Sequence, residues 1–285
     1  MIIIRMIGGL GNQMFQYAFY KNLKEKYGHV KCDINGFENY KLHNGFELEN
    51  NFDIKIEKAT LDEIQKSTNF YNRNIGVRLI RKYFGYKKTH IKEKNFKWDS
   101  LATKNDLYLD GYWQNDIFFG NTKNLRDDFK FLDSPSDNEL YKMIKSSNAI
   151  SLHVRRGDYV GNAVYTLLSE EYYATAMDLI SKQVENPTFY VFSDDLEWAE
   201  KMLLSSLKLK HNIIFYTNGK SSAIQDMKLM SSCKHNVIAN SSFSWWGAWL
   251  NDNETKIVVY PSQWYSDPKV NKEHIDTMPS DWLII

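Results

Sequence analysis

Apolar and polar positions change rhythm near the middle of the chain. The opening MIIIRMI is a β-branched run of strand length. It breaks at GGLGN and passes into QMFQYAFYKNLKEKYG, where Phe15, Phe19 and Leu23 recur at helical spacing. Gly28 stands where that helix would stop, and HVKCDI reads as a second strand. Strand, glycine turn, helix and strand in succession predict a βαβ unit on a parallel sheet. Between 36 and 105 the pattern is weaker: TLDEIQKS reads as a capped helix, and the basic stretch 72–97 as partly helical, its charges a solvated face. DLYLDGYWQNDIFF is strand-like and is followed by a break and a candidate helix; LDSPSDN, at 132–138, gathers turn and linker residues.

From 148 to 261 the alternation becomes nearly regular. NAISLHV, TFYVFSDD, NIIFYT, HNVIAN and KIVVYP read as strands. The helical stretches SEEYYATAMDLISKQ, LEWAEKMLLSS, SAIQDMKLMSSC and SFSWWGAWLN fall between them. This βα alternation predicts a doubly wound domain. Two α/β domains follow, 1–140 and 141–285, with a linker near 133–147 and ligands expected in a cleft between them, at the carboxyl ends of strands.

Composition narrows the classes. A length of 285 residues suits one large domain or two, and a 43% apolar share supplies a sizeable core. Aromatic residues make up 15%, which suits core packing and ring contacts to sugars. A net charge of +1 without runs of like charge gives no field to recruit nucleic acid. Cys32 and Cys233 lie far apart without metal-ligand spacing, which favours a reducing compartment over a disulfide framework. Every apolar run is too short for a signal peptide or a spanning helix. The expectation is therefore a soluble, cytoplasmic chain, at most peripheral at the inner face of a membrane.

Three segments stand where such a sheet presents ligands. HVRRGD ends one strand, FSDD closes the next, and NSSFSWWGAW leaves a strand to open a helix. A helix start offers unpaired N–H groups to an anion, and the planar fork of arginine meets phosphate oxygens two at a time. Together these segments predict a nucleoside-diphosphate site, although serines at a helix start are ordinary caps when taken alone. The N-terminal Gly9-x-Gly11-x-x-Met14, with Asp33 further on, approaches a dinucleotide fingerprint. Methionine occupies the third small position, however, and the amides Asn12 and Gln13 fit sugar hydroxyls or a phosphate better.

GGLGNQMFQYA (8–18), HVRRGDYV (153–160), FSDDLEW (192–198) and NSSFSWWGAWL (240–250), in this order and spacing, resemble the bacterial α-1,2-fucosyltransferases nearly end to end. The resemblance implies a GT-B-type α/β fold, two Rossmann-like domains facing across a cleft. The donor would be GDP-fucose on the C-terminal domain and the acceptor a galactose-terminated oligosaccharide or lipid-linked glycan. Transfer would invert the anomeric carbon, without a divalent metal or other cofactor, and bacterial surface-glycan (O-antigen) assembly is the implied setting. Arg155 would meet the β-phosphate, with Arg156 supporting that charge or the loop. His153 would contact guanine or ribose, or serve as a structural histidine. Asp158 would brace the arginine loop by a salt bridge, with catalytic base as the lesser reading. Asp194 or Asp195 would read the guanine edge or cap a helix, and Ser241, Ser242 and Ser244 would line the diphosphate. Asn12 would lie near the fucose–phosphate linkage, with Gly9 and Gly11 allowing close approach. Trp113 and Gln114, in the segment GYWQN, would meet the acceptor, while Trp245 and Trp246 read as packing. Related enzymes that share the arginine motif carry a glutamate base eight residues after the first arginine; here that position is Ala163. Two rival readings remain: an NAD-dependent oxidoreductase built on the glycine loop, and a non-catalytic glycan-binding module. Neutral sugars leave the second without a partner for paired arginines.

Overall fold

The computed structural model describes residues 1–38, 44–70, 76, 82–83, 85–103, 106–132, 139–204, 210–216 and 223–285. They group into two compact units, Met1–Lys130 and Phe131–Ile285. Of the linker expected near 133–147, residues 133–138 lie outside the described residues and the rest begins with a helix. A boundary at 140/141 would cut the helix Glu139–Lys145. That helix belongs to the second unit, because Ile144 is buried there with Ala149, Tyr190 and Leu229.

The first unit is built on a parallel sheet of order β2-β1-β4-β3, formed by β1 (Ile2–Arg5), β2 (Val30–Asp33), β3 (His90–Lys92) and β4 (Leu107–Asp110). Helix α1 (Leu10–Tyr27) connects β1 to β2 and is buried on most of its faces, as a helix enclosed by its own domain must be. Its interior amides are bonded: Asn22 Nδ2 donates to the Phe118 carbonyl at 2.9 Å. α1 begins inside GGLGN, so the turn is shorter than the sequence suggests. Gly8, at φ 81°, is its left-handed residue, and a Cβ there would lie 2.4 Å from Asn12 Nδ2. Gly28 ends the helix at φ 75°, donating to the Lys24 carbonyl at 2.9 Å.

Of the strand-like DLYLDGYWQNDIFF, only Leu107–Asp110 enters the sheet. Beyond Gly111 the chain turns, and Trp113 takes φ 58°. A left-handed tryptophan costs about 1–2 kcal/mol. Its ring compensates by full burial, 4.5 Å from Phe19 and 5.1 Å from Phe118 between centroids. Strand β3 lies within the stretch read as basic and partly helical; 71–75, 77–81 and 84 lie outside the described residues.

The second unit carries β5 (Asn148–Val154), β6 (Pro187–Ser193), β7 (Asn212–Phe215), β8 (His235–Val237), β9 (Val258–Tyr260) and β10 (Leu283–Ile284). All pairs are parallel, in the order β10-β9-β8-β5-β6-β7. This is the Rossmann order, with its switch point between β5 and β8. Helices α2 (Glu170–Ser181), α3 (Leu196–Leu204), α4 (Ala223–Ser232) and α5 (Ser242–Leu250) join successive strands. Alternate β5 side chains serve opposite faces: Ile150, Leu152 and Val154 pack with Tyr173, Met177 and Ile180 of α2, while Ala149 packs with Leu229 and Met230 of α4. Among the described residues no helix is long and apolar enough to cross a membrane.

Candidate functional site

The switch point of the second sheet sets the geometry. Val154 pairs with Ser193, so the chain leaves β5 as Arg155 and Arg156 beside the point where it leaves β6 as Asp194 and Asp195. Asp194 Oδ1 accepts the Arg156 backbone N–H at 2.8 Å, and its Oδ2 pairs with the Arg155 guanidinium at 2.9 Å. Arg155 also donates to Asp158 Oδ1 at 2.6 Å. Arg156 reaches Asp195 Oδ2 at 3.3 Å and lies 3.8 Å over the Trp198 ring. The other oxygen of Asp195 accepts the Trp198 N–H at 3.2 Å in the first turn of α3. Asp194 or Asp195 was expected to read a guanine edge or cap a helix; here Asp194 braces the arginine turn, and Asp195 both pairs with Arg156 and caps the start of α3. Gly157 completes the turn, since a Cβ there would stand 2.6 Å from Asp194 Oδ2.

Two contacts join this turn to the start of α5. Tyr159 Oη donates to the Asn240 carbonyl at 2.9 Å, and the His153 ring lies 5.6 Å from that of Phe243. Asn240 is itself fixed, its Nδ2 donating to the Thr166 and Trp264 carbonyls at 2.8 and 2.9 Å. Ser241 caps α5, accepting the Phe243 N–H at 3.3 Å, and Ser242 is its first residue. Ser244, expected to line a diphosphate, is wholly buried, its hydroxyl directed to the Ala239 and Ser241 carbonyls. Trp245 and Trp246 are buried among each other, Trp249 and Trp282.

His153 is 4% exposed, and its Nδ1 has no hydrogen-bond partner among the described residues. Burial, helped by the Arg155 charge, lowers its pKa to about 3 and keeps the ring neutral. Gly157, Tyr159 and Trp198 were not singled out as site residues, although all three stand inside the motifs already quoted; Asn240 opens the third of those motifs.

In the first unit, β1 and β4 are neighbours, and the loops that follow them meet. Gly9 and Gly11 occupy the cap and first turn of α1, both with ordinary backbone angles or buried helical packing, so the left-handed requirement falls on Gly8. Gln114 Nε2 donates to Asn12 Oδ1 at 2.6 Å. Trp113, expected to meet an acceptor, is core. Asp33, the ribose ligand of the dinucleotide reading, is fully buried and accepts from Tyr108 Oη at 2.6 Å and the Asn35 amide at 2.8 Å. The oxidoreductase reading thereby loses its acidic residue. Among the described residues no group of three or more His, Cys, Asp or Glu is disposed to hold a metal ion.

A family profile described as glycosyl transferase family 11 matches residues 1–285. The chain belongs to glycosyl transferase family 11. This family 11 chain is 34% identical to an alpha-1,2-colitosyltransferase of Escherichia coli, over 100% of its own length and 98% of that protein's. It is 33% identical to the Escherichia coli O-antigen biosynthesis glycosyltransferase WbnK, over 95% and 97% of the two chains. Among solved structures, the fucosyltransferase NodZ from Bradyrhizobium superposes with a TM-score of 0.51 at 15% identity, covering 87% of this chain and 91% of that one. At that identity the likeness speaks for the fold, the GT-B type with two parallel-sheet units. The family 11 chain is thus a glycosyltransferase.

Two outcomes follow from the site. Gly157→Ala forces Asp194 away from the turn and lowers unfolding free energy by about 1–3 kcal/mol in a denaturant melt; an unchanged melt would show that Asp194 is not held where it stands. Between pH ~6.5 and about 3 the unfolded chain binds a proton at residue 153 that the folded chain refuses, whereas above this window both states are neutral. Stability therefore falls as pH falls through that window, by about 1.4 kcal/mol per pH unit from this group. His153→Asn removes that part of the slope in melts taken from pH 7 to 4, and an unaltered slope would mean the ring is not buried neutral.

Proposed function

We propose that the enzyme transfers L-fucose from GDP-β-L-fucose to the 2-hydroxyl of a terminal galactose, inverting the anomeric carbon to an α-1,2 linkage. One observation carries the reading: a doubly cationic turn at the switch point is bonded directly to a serine-capped helix start, through Tyr159 Oη and the Asn240 carbonyl. Such a site suits a diphosphate, with the helix supplying N–H donors and Arg155 the charge-assisted bonds. Preorganised charge of this kind stabilises a leaving diphosphate without a metal ion.

The turn holds two guanidiniums against Asp158, Asp194 and Asp195, and a carboxylate that yields frees further N–H donors for an incoming anion. Asp158 is the one placed to do so. Its side chain is 46% exposed and makes a single bond to Arg155, whereas Asp194 is 24% exposed and also holds backbone. Displaced from Arg155, Asp158 becomes one candidate to receive the proton of the acceptor hydroxyl; the departing phosphate oxygen is the other. Ala163 can take none.

The colitosyltransferase relative supports a second donor reading, because colitose is fucose without its 3-hydroxyl and the α-1,2 linkage is common to both. GDP release from GDP-fucose and from GDP-colitose, each with lactose present, separates the two. Faster turnover of GDP-fucose with an α-1,2 product by NMR is expected, and a preference for GDP-colitose would replace the donor while leaving the site. Arg155→Ala lowers kcat/KM by about 10²–10³-fold with an unchanged circular dichroism spectrum. Near-normal turnover in that variant would remove the arginine from the reaction. Turnover also persists in EDTA; loss restored by magnesium would overturn the metal-free reading.

A further inference from the structure

Tyr159 serves the arginine turn twice. Its hydroxyl ties the turn to the start of α5 through the Asn240 carbonyl, and the Arg155 guanidinium lies 5.7 Å over its ring. The ring itself is held by a residue outside every motif singled out above. Tyr165 stacks on Tyr159 with the centroids 4.2 Å apart and the planes 6° from parallel. The two meet because the chain reverses between them. Gly161 takes φ 79°, the Asn162 N–H donates to the Tyr159 carbonyl at 3.0 Å, and Asn162 Oδ1 accepts the Val164 N–H at 2.9 Å.

Tyr165 is fixed in turn by the segment that follows β9. It pairs antiparallel with Tyr265, whose ring lies 5.6 Å away, and the Ser266 N–H donates to the Val164 carbonyl at 2.9 Å. That segment is anchored on the helix Pro268–Ile275, where Asn271 Oδ1 accepts the Trp264 and Tyr265 N–H groups at 2.6 and 3.0 Å. Asn240 closes the circuit. Its Nδ2 donates to the Thr166 and Trp264 carbonyls, one on each side of the pairing, while its own carbonyl takes Tyr159 Oη. Both partners of Nδ2 are carbonyls, which only accept, so this amide has one orientation.

We propose that Tyr165 is a positioning residue for the diphosphate site: by stacking on Tyr159 it fixes the spacing between the arginine turn and the start of α5. The inference rests on the donor reading above and adds to it a residue that acts through Tyr159 without touching the ligand. An anion gripped at two places gains from both only when their separation is set beforehand, since otherwise binding has to order the turn as well. Loss of the stack therefore appears as weaker binding of a diphosphate.

The test compares Tyr165→Leu, which removes the flat ring, with Tyr165→Phe, which keeps it, in the full chain. GDP affinity by calorimetry is expected to fall about 3–10-fold in Tyr165→Leu and to stay near the wild-type value in Tyr165→Phe. Tyr159→Phe breaks the bond to Asn240, and in that background Tyr165→Leu is expected to cost little more. Equal affinities in the Leu and Phe variants, losses that multiply with Tyr159→Phe, or a lower melting temperature with GDP affinity intact would each overturn the proposal. Should Tyr165→Leu not fold, Tyr165→Met takes its place with the same expectations. If the wild-type chain binds no GDP, the donor reading fails by itself, and the positioning is read from hydrogen exchange. The Tyr159 and Val160 amides bond the Arg156 carbonyl at 2.8 and 3.0 Å. Their exchange quickens in Tyr165→Leu and not in Tyr165→Phe if Tyr165 holds the turn, and is the same in both if it does not.

Discussion

A single carboxylate, Asp194, sets the geometry on which the second unit's chemistry depends. It comes from the strand beside the arginine turn, takes the Arg156 N–H with one oxygen and the Arg155 guanidinium with the other. Charge-assisted bonds of this kind are stronger than neutral ones and directional, so they fix where the guanidinium stands as well as that it is there. Two adjacent cations at the end of one strand repel each other, and the aspartates leaving the neighbouring strand offset that repulsion. The parallel register that pairs Val154 with Ser193 brings the two charge sets together, and the missing side chain of Gly157 lets them close to contact.

The order of elements was legible because a buried parallel strand and an amphipathic helix leave different periodicities, and the second half alternates between them. The arginine turn and the α5 start were legible as chemistry for the same reason: charge and hydroxyls standing at the ends of apolar runs are costly unless something is bound or paired there. What pairs with what was not legible. FSDD reads as a ligand contact or as a helix cap, and only the register across β5 and β6 shows that Asp194 also holds Arg155 and Arg156. Ser244 looked like its neighbours Ser241 and Ser242 until helical geometry turned its hydroxyl back onto the Ala239 carbonyl. Trp113 sits in a strand-like run, yet the packing of its ring against Phe19 and Phe118 reverses the backbone, a tertiary effect that no local propensity records. β3 is three residues long, too short for any periodicity to declare it.

In both units the unusual residues stand where loops leave neighbouring parallel strands side by side, β1 and β4 in the first and β5 and β6 in the second. They stabilise those loops by different means. In the second unit the anchors are ions: Asp158, Asp194 and Asp195 hold Arg155 and Arg156. In the first unit the anchors are mostly neutral amides: Gln16 bonds both the N–H and the carbonyl of Ile7, at 2.9 and 3.1 Å, and Gln13 donates to the Gly8 carbonyl at 3.0 Å. An amide network adds no net charge and does not titrate, so it holds the glycine turn independently of pH. Division of labour follows from that difference. Charged pairing is concentrated in the arginine turn, and uncharged hydrogen bonding in the amide-held turn.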